Sequence, residues 1–187
     1  MKRTPLFILL SVWLVLTSSI FLLPTNIHGQ GSGEDEYVVN LPLIMTDSNV
    51  GSEGLAPSEF ERKAIELTNL RRVENGCPAL TTVPELIAAA RGHSADMADQ
   101  NYFSHNSLDG KQPWDRMQEA GYTDFLSAGE NIAAGYITPE AVVEAWLNSP
   151  GHRKNMLNCN FNEIGIGYVL DADSTFKHYW TQDLGQR

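Results

Sequence analysis

A chain of 187 residues with 42% apolar and 9% aromatic content can bury one sizeable core, with little left for a second domain once a leader and a linker are set aside. Its formal net charge is −10, from 13 Lys and Arg against 23 Asp and Glu. That balance argues against a nucleic-acid partner, because phosphate binding needs a basic face, and it favours attraction of cations.

Lys2 and Arg3 precede an apolar run over residues 6–23 that is broken only by Ser11, Thr17, Ser18 and Ser19, the pattern of a secretory leader. Small residues at Gly29, Gly31 and Ser32 put processing near Gly29, so residues 1–29 read as a signal peptide. The run also approaches the roughly 18–20 residues that span a bilayer, which makes an uncleaved N-terminal anchor the alternative. On either reading the rest of the chain is exported, either secreted or held at the outer face by its N-terminus. Residues 30–57 read as a flexible linker, rich in Gly, Ser and acids on both flanks. Within it, residues 37–45 are either a sticky extended segment or a short docking strand.

The folded domain is expected over residues 58–187. Ser58 as N-cap and Glu61 three residues on complete a capping box, after which Phe60, Ala64, Leu67, Thr68 and Arg71 follow helical spacing to about Glu74. Asn75 and Gly76 end that helix, and Cys77 and Pro78 lead into an irregular link anchored by Leu80. Pro84 opens a second helix in which Leu86, Ala90, His93 and Met97 share a buried stripe. His93 reads as a core histidine bonded to backbone; the sharper reading makes it a wall behind a site.

Turns at Asn106 and Asp109-Gly110 precede a short helix over residues 113–120 that ends at Gly121. His105, in Phe103-Ser104-His105, lies outside any apolar periodicity, so it is a surface histidine or a site residue. Gly129 and Gly135 bracket a stretch too short for a helix, in which Glu130 sits near Ile132. A carboxylate in apolar surroundings needs a histidine, a cation or backbone N–H groups.

Thr138 caps the next helix, with Pro139 in its first position and Val142, Val143, Trp146 and Leu147 on its apolar face. Ser149 then caps a short helix with Pro150 first and His152 in the first turn. There the helix N-terminus lowers the imidazole pKa and favours the neutral form that ligates metal. Ile164, Ile166, Tyr168 and Leu170 alternate with small or polar neighbours, as do Phe176, His178, Trp180 and Gln182. With residues 171–174 as the turn, these form an antiparallel hairpin. Helices ahead of a hairpin make the class α+β, with helices covering both faces of a small antiparallel sheet.

Phe103-Ser104-His105, Gly129-Glu130-Asn131-Ile132-Ala133, the run WLNSPGHRKNML over residues 146–157, EIGIGY over 163–168 and YWTQDLG over 179–185 stand in a familiar order and spacing. Over about residues 57–185 the chain resembles a bacterial secreted member of the CAP superfamily, also called the SCP or allergen-V5 and Tpx-1 related family. The resemblance implies an α-β-α sandwich whose cavity is lined by two histidines and two acids, which in several members hold a divalent cation such as zinc. Carried over motif by motif, His105, Glu130 and His152 are the implied metal ligands. The second acid falls near Ser149, which cannot act as an anionic ligand, and Glu144 lies off the motif. Ser149 therefore joins His105, Glu130 and His152 as a cavity residue, and zinc, if bound, is expected to be held weakly.

Two histidines and one carboxylate suit an open three-ligand site better than a closed structural zinc site, which takes four protein ligands. No His-Glu-x-x-His spacing of a metalloprotease is present. A Ser149–His152–Glu130 relay is imaginable, yet Ser149 is assigned to capping and no nucleophile elbow surrounds it. Cys77 and Cys159 favour a disulfide in an exported chain, with two buried thiols as the alternative. The expected function is an extracellular binding module whose cavity takes an apolar or glycan ligand, whether lipid, peptide or cell-envelope glycan, with or without a cation. The alternative is a secreted hydrolase, most plainly a peptidase, in the same cavity. Membrane contact is expected only through an uncleaved N-terminal segment.

Overall fold

In the computed structural model, residues 57–187 are described, and the leader and linker expectations for residues 1–56 lie outside them. Helix α1 (Glu59–Glu74) opens on the expected capping box: Ser58 Oγ accepts the Glu61 N–H at 3.3 Å, and Glu61 Oε2 accepts the Ser58 N–H at 2.7 Å. Its buried stripe runs through Glu61, Ala64, Ile65, Thr68 and Arg72, so Phe60 and Arg71 lie off it. The physical reason is that two charged residues find partners inside. Glu61 accepts from Arg91 Nε at 2.8 Å and from the Tyr168 N–H at 3.1 Å. Arg72 donates to the carbonyls of Pro78, Met156, Asn158 and Phe161 at 2.7–3.0 Å. Hydropathy spacing scores both residues as surface, because their partners come from remote parts of the chain.

The remaining helices are α2 (Pro84–Asp99), α3 (Pro113–Glu119), α4 (Pro139–Asn148) and α5 (Pro150–Met156). The strands are β1 (Thr81–Thr82), β2 (Ser127–Ala134), β3 (Glu163–Leu170) and β4 (His178–Gln186), in spatial order β1-β3-β4-β2. The expected hairpin is β3–β4, with Ile166 opposite Gln182. Pairing is antiparallel except for the two-residue β1, which runs parallel to β3. β2 begins at Ser127 and runs on through the stretch bracketed by Gly129 and Gly135, where only the absence of a helix had been expected. Alanine and glycine give it little strand preference of its own, and pairing along its whole length with β4 makes it a strand.

Helices cover both faces of this sheet. On one, Ile164, Ile166, Trp180 and Leu184 pack with Ala64 and Ile65 of α1, Val142, Val143 and Trp146 of α4, and Met156 of α5. On the other, α2 lies directly on β3, because Gly165 and Gly167 present no side chain: a Cβ there would stand 2.1 Å from Leu86 and 2.3 Å from Ala90 backbone carbon. β4 is therefore buried from Tyr179 to Gly185 on both sides, rather than alternating between core and solvent. Cys77 and Cys159 are joined by a disulfide, with Cα atoms 4.9 Å apart. Among the described residues, no helix is long and apolar enough to cross a membrane.

Candidate functional site

Three elements bring the expected residues to the β2 side of the sheet. β2 carries Glu130, the α2–α3 connection carries His105, and the first turn of α5 carries His152. Glu130 is almost wholly buried, with 2% of its side chain exposed, and both its oxygens are engaged. Oε1 lies 2.7 Å from His105 Nδ1, and Oε2 accepts from Arg116 Nη2 at 2.7 Å. Arg116, from α3, also donates to Ser107 Oγ and to the carbonyls of Lys111 and His105.

Directly across the strands from Glu130 stands Asp183, itself buried. Burial first, and then the neighbouring Glu130 charge, push the Asp183 carboxyl well above the usual carboxylate range, with Arg116 opposing. His93 is fully buried behind the site, its Nε2 2.9 Å from the Ser104 carbonyl oxygen, as expected for a core histidine bonded to backbone.

His152 lines a cavity of about 300 Å³ with Ser149, Trp146, Phe103, Tyr136 and Phe176. Its pKa is lowered, as expected, but burial is the larger cause and the His105 charge the second. His105 and Glu130 line a second cavity, of about 270 Å³, with Gln112, Trp114, Met117 and Ala128. Ser149 occupies the N-cap position of α5 by backbone but its hydroxyl makes no capping bond, which corrects the capping role expected of it. A Ser149–His152–Glu130 relay is not assembled, because the Glu130 carboxylate is held by His105 and Arg116.

The expected ligands therefore gather only in part. Among the described residues, no group of three His, Cys, Asp or Glu is placed to hold a metal ion. His105 meets Glu130, whereas His152 faces the neighbouring cavity. As it stands the set does not fit a resident cation, since a guanidinium already occupies one oxygen of the only acid expected to ligate it.

Amide side chains fix these positions. Asn155 Nδ2 donates to the Glu130 carbonyl at 3.1 Å and to Asn131 Oδ1 at 3.0 Å, while Asn131 Nδ2 donates to the His152 carbonyl at 3.1 Å and to Gln182 Oε1 at 2.8 Å. Trp146 Nε1 donates to the Ile132 carbonyl at 3.2 Å. Sequence reasoning missed Arg116, Asp183, Asn131 and Asn155 as site residues. The two asparagines and Asp183 lie inside the family motifs and carried a signal; Arg116, in a short helix without apolar repeat, carried none.

Sheet order, helical layers on both faces and a cleft along β2 define an α-β-α sandwich of the SCP type. The chain belongs to the CAP, or cysteine-rich secretory protein, family, whose sequence profile matches residues 65–184. It is 47% identical over 127 residues to the uncharacterized protein YkwD of Bacillus subtilis (strain 168), covering 68% of this chain and 47% of that protein. To the uncharacterized membrane protein YlbC of the same organism it is 42% identical over 127 residues, covering 68% and 34%. The chain thus spans less than half the length of these relatives. Among solved structures, an extracellular protein containing a SCP domain from Bacillus anthracis str. Ames matches with a TM-score of 0.61 and 38% identity, over 68% of this chain and 40% of that one. An outer surface protein from Borrelia burgdorferi shares the fold, with a TM-score of 0.61 at 23% identity, over 67% and 91%.

Proposed function

We propose that this domain is an extracellular binding module whose two cavities along β2 take a neutral glycan of the cell envelope. The observation that carries this reading is that each cavity combines half-exposed aromatic rings with hydrogen-bonding side chains. Phe103, Tyr136 and Phe176 face Ser149 and His152 in one, and Trp114 faces Gln112 and His105 in the other. Such rings stack on the apolar face of a sugar, while imidazole, amide and hydroxyl groups bond its hydroxyls. Cavity volumes of about 300 and 270 Å³ suit single rings of a polymer better than a long acyl chain. A net charge of −10 disfavours a polyanionic ligand. The extracellular setting is supported by the Bacillus anthracis relative and by the disulfide.

A divalent cation on His105, Glu130 and His152 is a second reading, favoured by one observation: His105 Nδ1 stands 2.7 Å from Glu130 Oε1 while His152 lines the adjoining cavity. Such an ion would have to compete for Glu130 with partners already in place, so its binding would be weak and reversible. A hydrolytic role rests on Ser149 and His152 lining one cavity, in which no Asp or Glu stands among the described lining residues.

The purified protein, incubated separately with an N-acetylated cell-wall tetrasaccharide, a tetrapeptide and palmitate, separates these readings. A binding module retains the tetrasaccharide and releases no product. Product that disappears in His152→Ala, with the fold kept, would establish the hydrolase instead.

A further inference from the structure

We infer that Arg116 is the resident cation of this site: it supplies the positive charge that Glu130 needs, and a divalent ion must compete with it. A buried carboxylate is costly unless a positive partner or several donors reach it. Glu130 is such a group, and Arg116, itself only 9% exposed, meets its Oε2 at 2.7 Å. Arginine is the side chain of choice for such a buried pair, since its planar fork meets a carboxylate with fixed geometry.

The remaining donors of Arg116 show that it is held rather than merely nearby. Nη1 donates to Ser107 Oγ at 3.2 Å and to the Lys111 carbonyl at 3.1 Å, and Nη2 reaches the His105 carbonyl at 2.9 Å as well as Glu130. One planar group thereby ties three points of the 105–111 segment to the carboxylate on β2. It sets where His105 stands and balances Glu130 at once, two tasks a bound ion could otherwise perform.

A divalent ion at Glu130 would lie beside a full positive charge in a poorly solvated place, where repulsion at contact distance is strong. It would also have to take Oε1 from His105 Nδ1, which stands 2.7 Å away. His152 lines the neighbouring cavity, and among the described residues no third His, Cys, Asp or Glu is grouped with the pair to hold an ion. Arg116 is thus a positioning residue that keeps the site assembled without metal. This holds whichever ligand the cleft takes, so its failure and that of the glycan reading are separable.

Calorimetric titration of the metal-stripped protein with zinc chloride, paired with thermal unfolding with and without EDTA, provides the test. The parent should bind zinc weakly, and EDTA should leave its Tm unchanged. Arg116→Gln, confirmed folded by circular dichroism, should bind zinc about tenfold more tightly or better, and His105→Ala in that background should abolish the gain. A folded Arg116→Gln that binds zinc no better than the parent overturns the inference. If Arg116→Gln does not fold, the parent decides: tight binding of one zinc with a raised Tm, both lost in His105→Ala, overturns the inference, and their absence upholds it.

Discussion

Asn155 Nδ2 lies 3.1 Å from the carbonyl oxygen of Glu130, so the helix that carries His152 is fastened to the strand that carries the carboxylate of the site. β2 is the last strand of the sheet, and its outward carbonyls would otherwise lack partners. Asn155 takes that of Glu130, and Trp146 Nε1 takes that of Ile132. The covering of the sheet edge and the placing of the site are therefore one arrangement.

Asn155→Ala should cost about 1–3 kcal/mol, the range for leaving a buried acceptor unpaired, and should move the His152 ring signals in a proton–nitrogen spectrum. Urea denaturation gives the first and NMR the second. An unshifted His152 with parent stability would mean that α5 is held by other contacts.

The two glycines of β3 make a sharper prediction. Gly167→Ala would drive a methyl group to 2.3 Å from the Ala90 backbone, which cannot yield without lifting α2 from the sheet. The loss should reach about 3 kcal/mol or more. Gly92→Ala, in the middle of α2 with nothing within 4 Å of the new carbon, should instead stabilise by about 0.5–1 kcal/mol. Thermal unfolding of the two variants side by side checks both directions.

Arg72 and the disulfide bind the same two links of the chain. Arg72→Met leaves the carbonyls of Pro78, Met156, Asn158 and Phe161 without this donor and should cost about 3–5 kcal/mol. Joining cysteines 82 residues apart stabilises by about 4 kcal/mol in the loop-entropy account. Denaturation of Arg72→Met and of the Cys77→Ser, Cys159→Ser double variant measures each, and thiol titration of the denatured, unreduced protein should find no free thiol.

His93 gives the fold a pH dependence. Burial, its largest influence, holds its pKa below 6.5, so near that pH the unfolded chain binds more protons than the folded one. Its contribution is complete above about 6.5 and declines as pH falls toward the folded pKa, by at most about 1.4 kcal/mol per pH unit. Asp183 acts oppositely: its contribution is complete below the ordinary carboxyl value of 3.8 and is lost as pH rises through its elevated pKa. The comparison of variants is thus decisive. His93→Gln should flatten the fall in urea midpoint between about pH 7.5 and 5.5, and an unchanged slope would place the proton uptake elsewhere.

What could be read from the sequence was what is local. The Ser58–Glu61 capping box, the prolines that open α2, α3, α4 and α5, and the β3–β4 hairpin all follow from residues within a few positions of one another. His105 and Glu130 were found through their motifs, and the structure places them in contact. What was not legible depends on distant partners. β2 is a strand because β4 lies beside it, Arg72 is buried because residues 156–161 offer it carbonyls, and Arg116 belongs to the site because the segment after His105 folds around it. None of these leaves a periodic trace.

The glycan reading is tested most directly by calorimetric titration of the purified protein with a soluble N-acetylated cell-wall tetrasaccharide, repeated on Trp114→Ala and Phe176→Ala. Each substitution removes a half-exposed ring from one cavity, and Phe176 also meets the buried Tyr179 ring edge-on. Saturable binding by the parent, weakened about tenfold or more in both variants with the fold kept by circular dichroism, is the predicted result. No binding by the parent, or binding that neither variant alters, would contradict it.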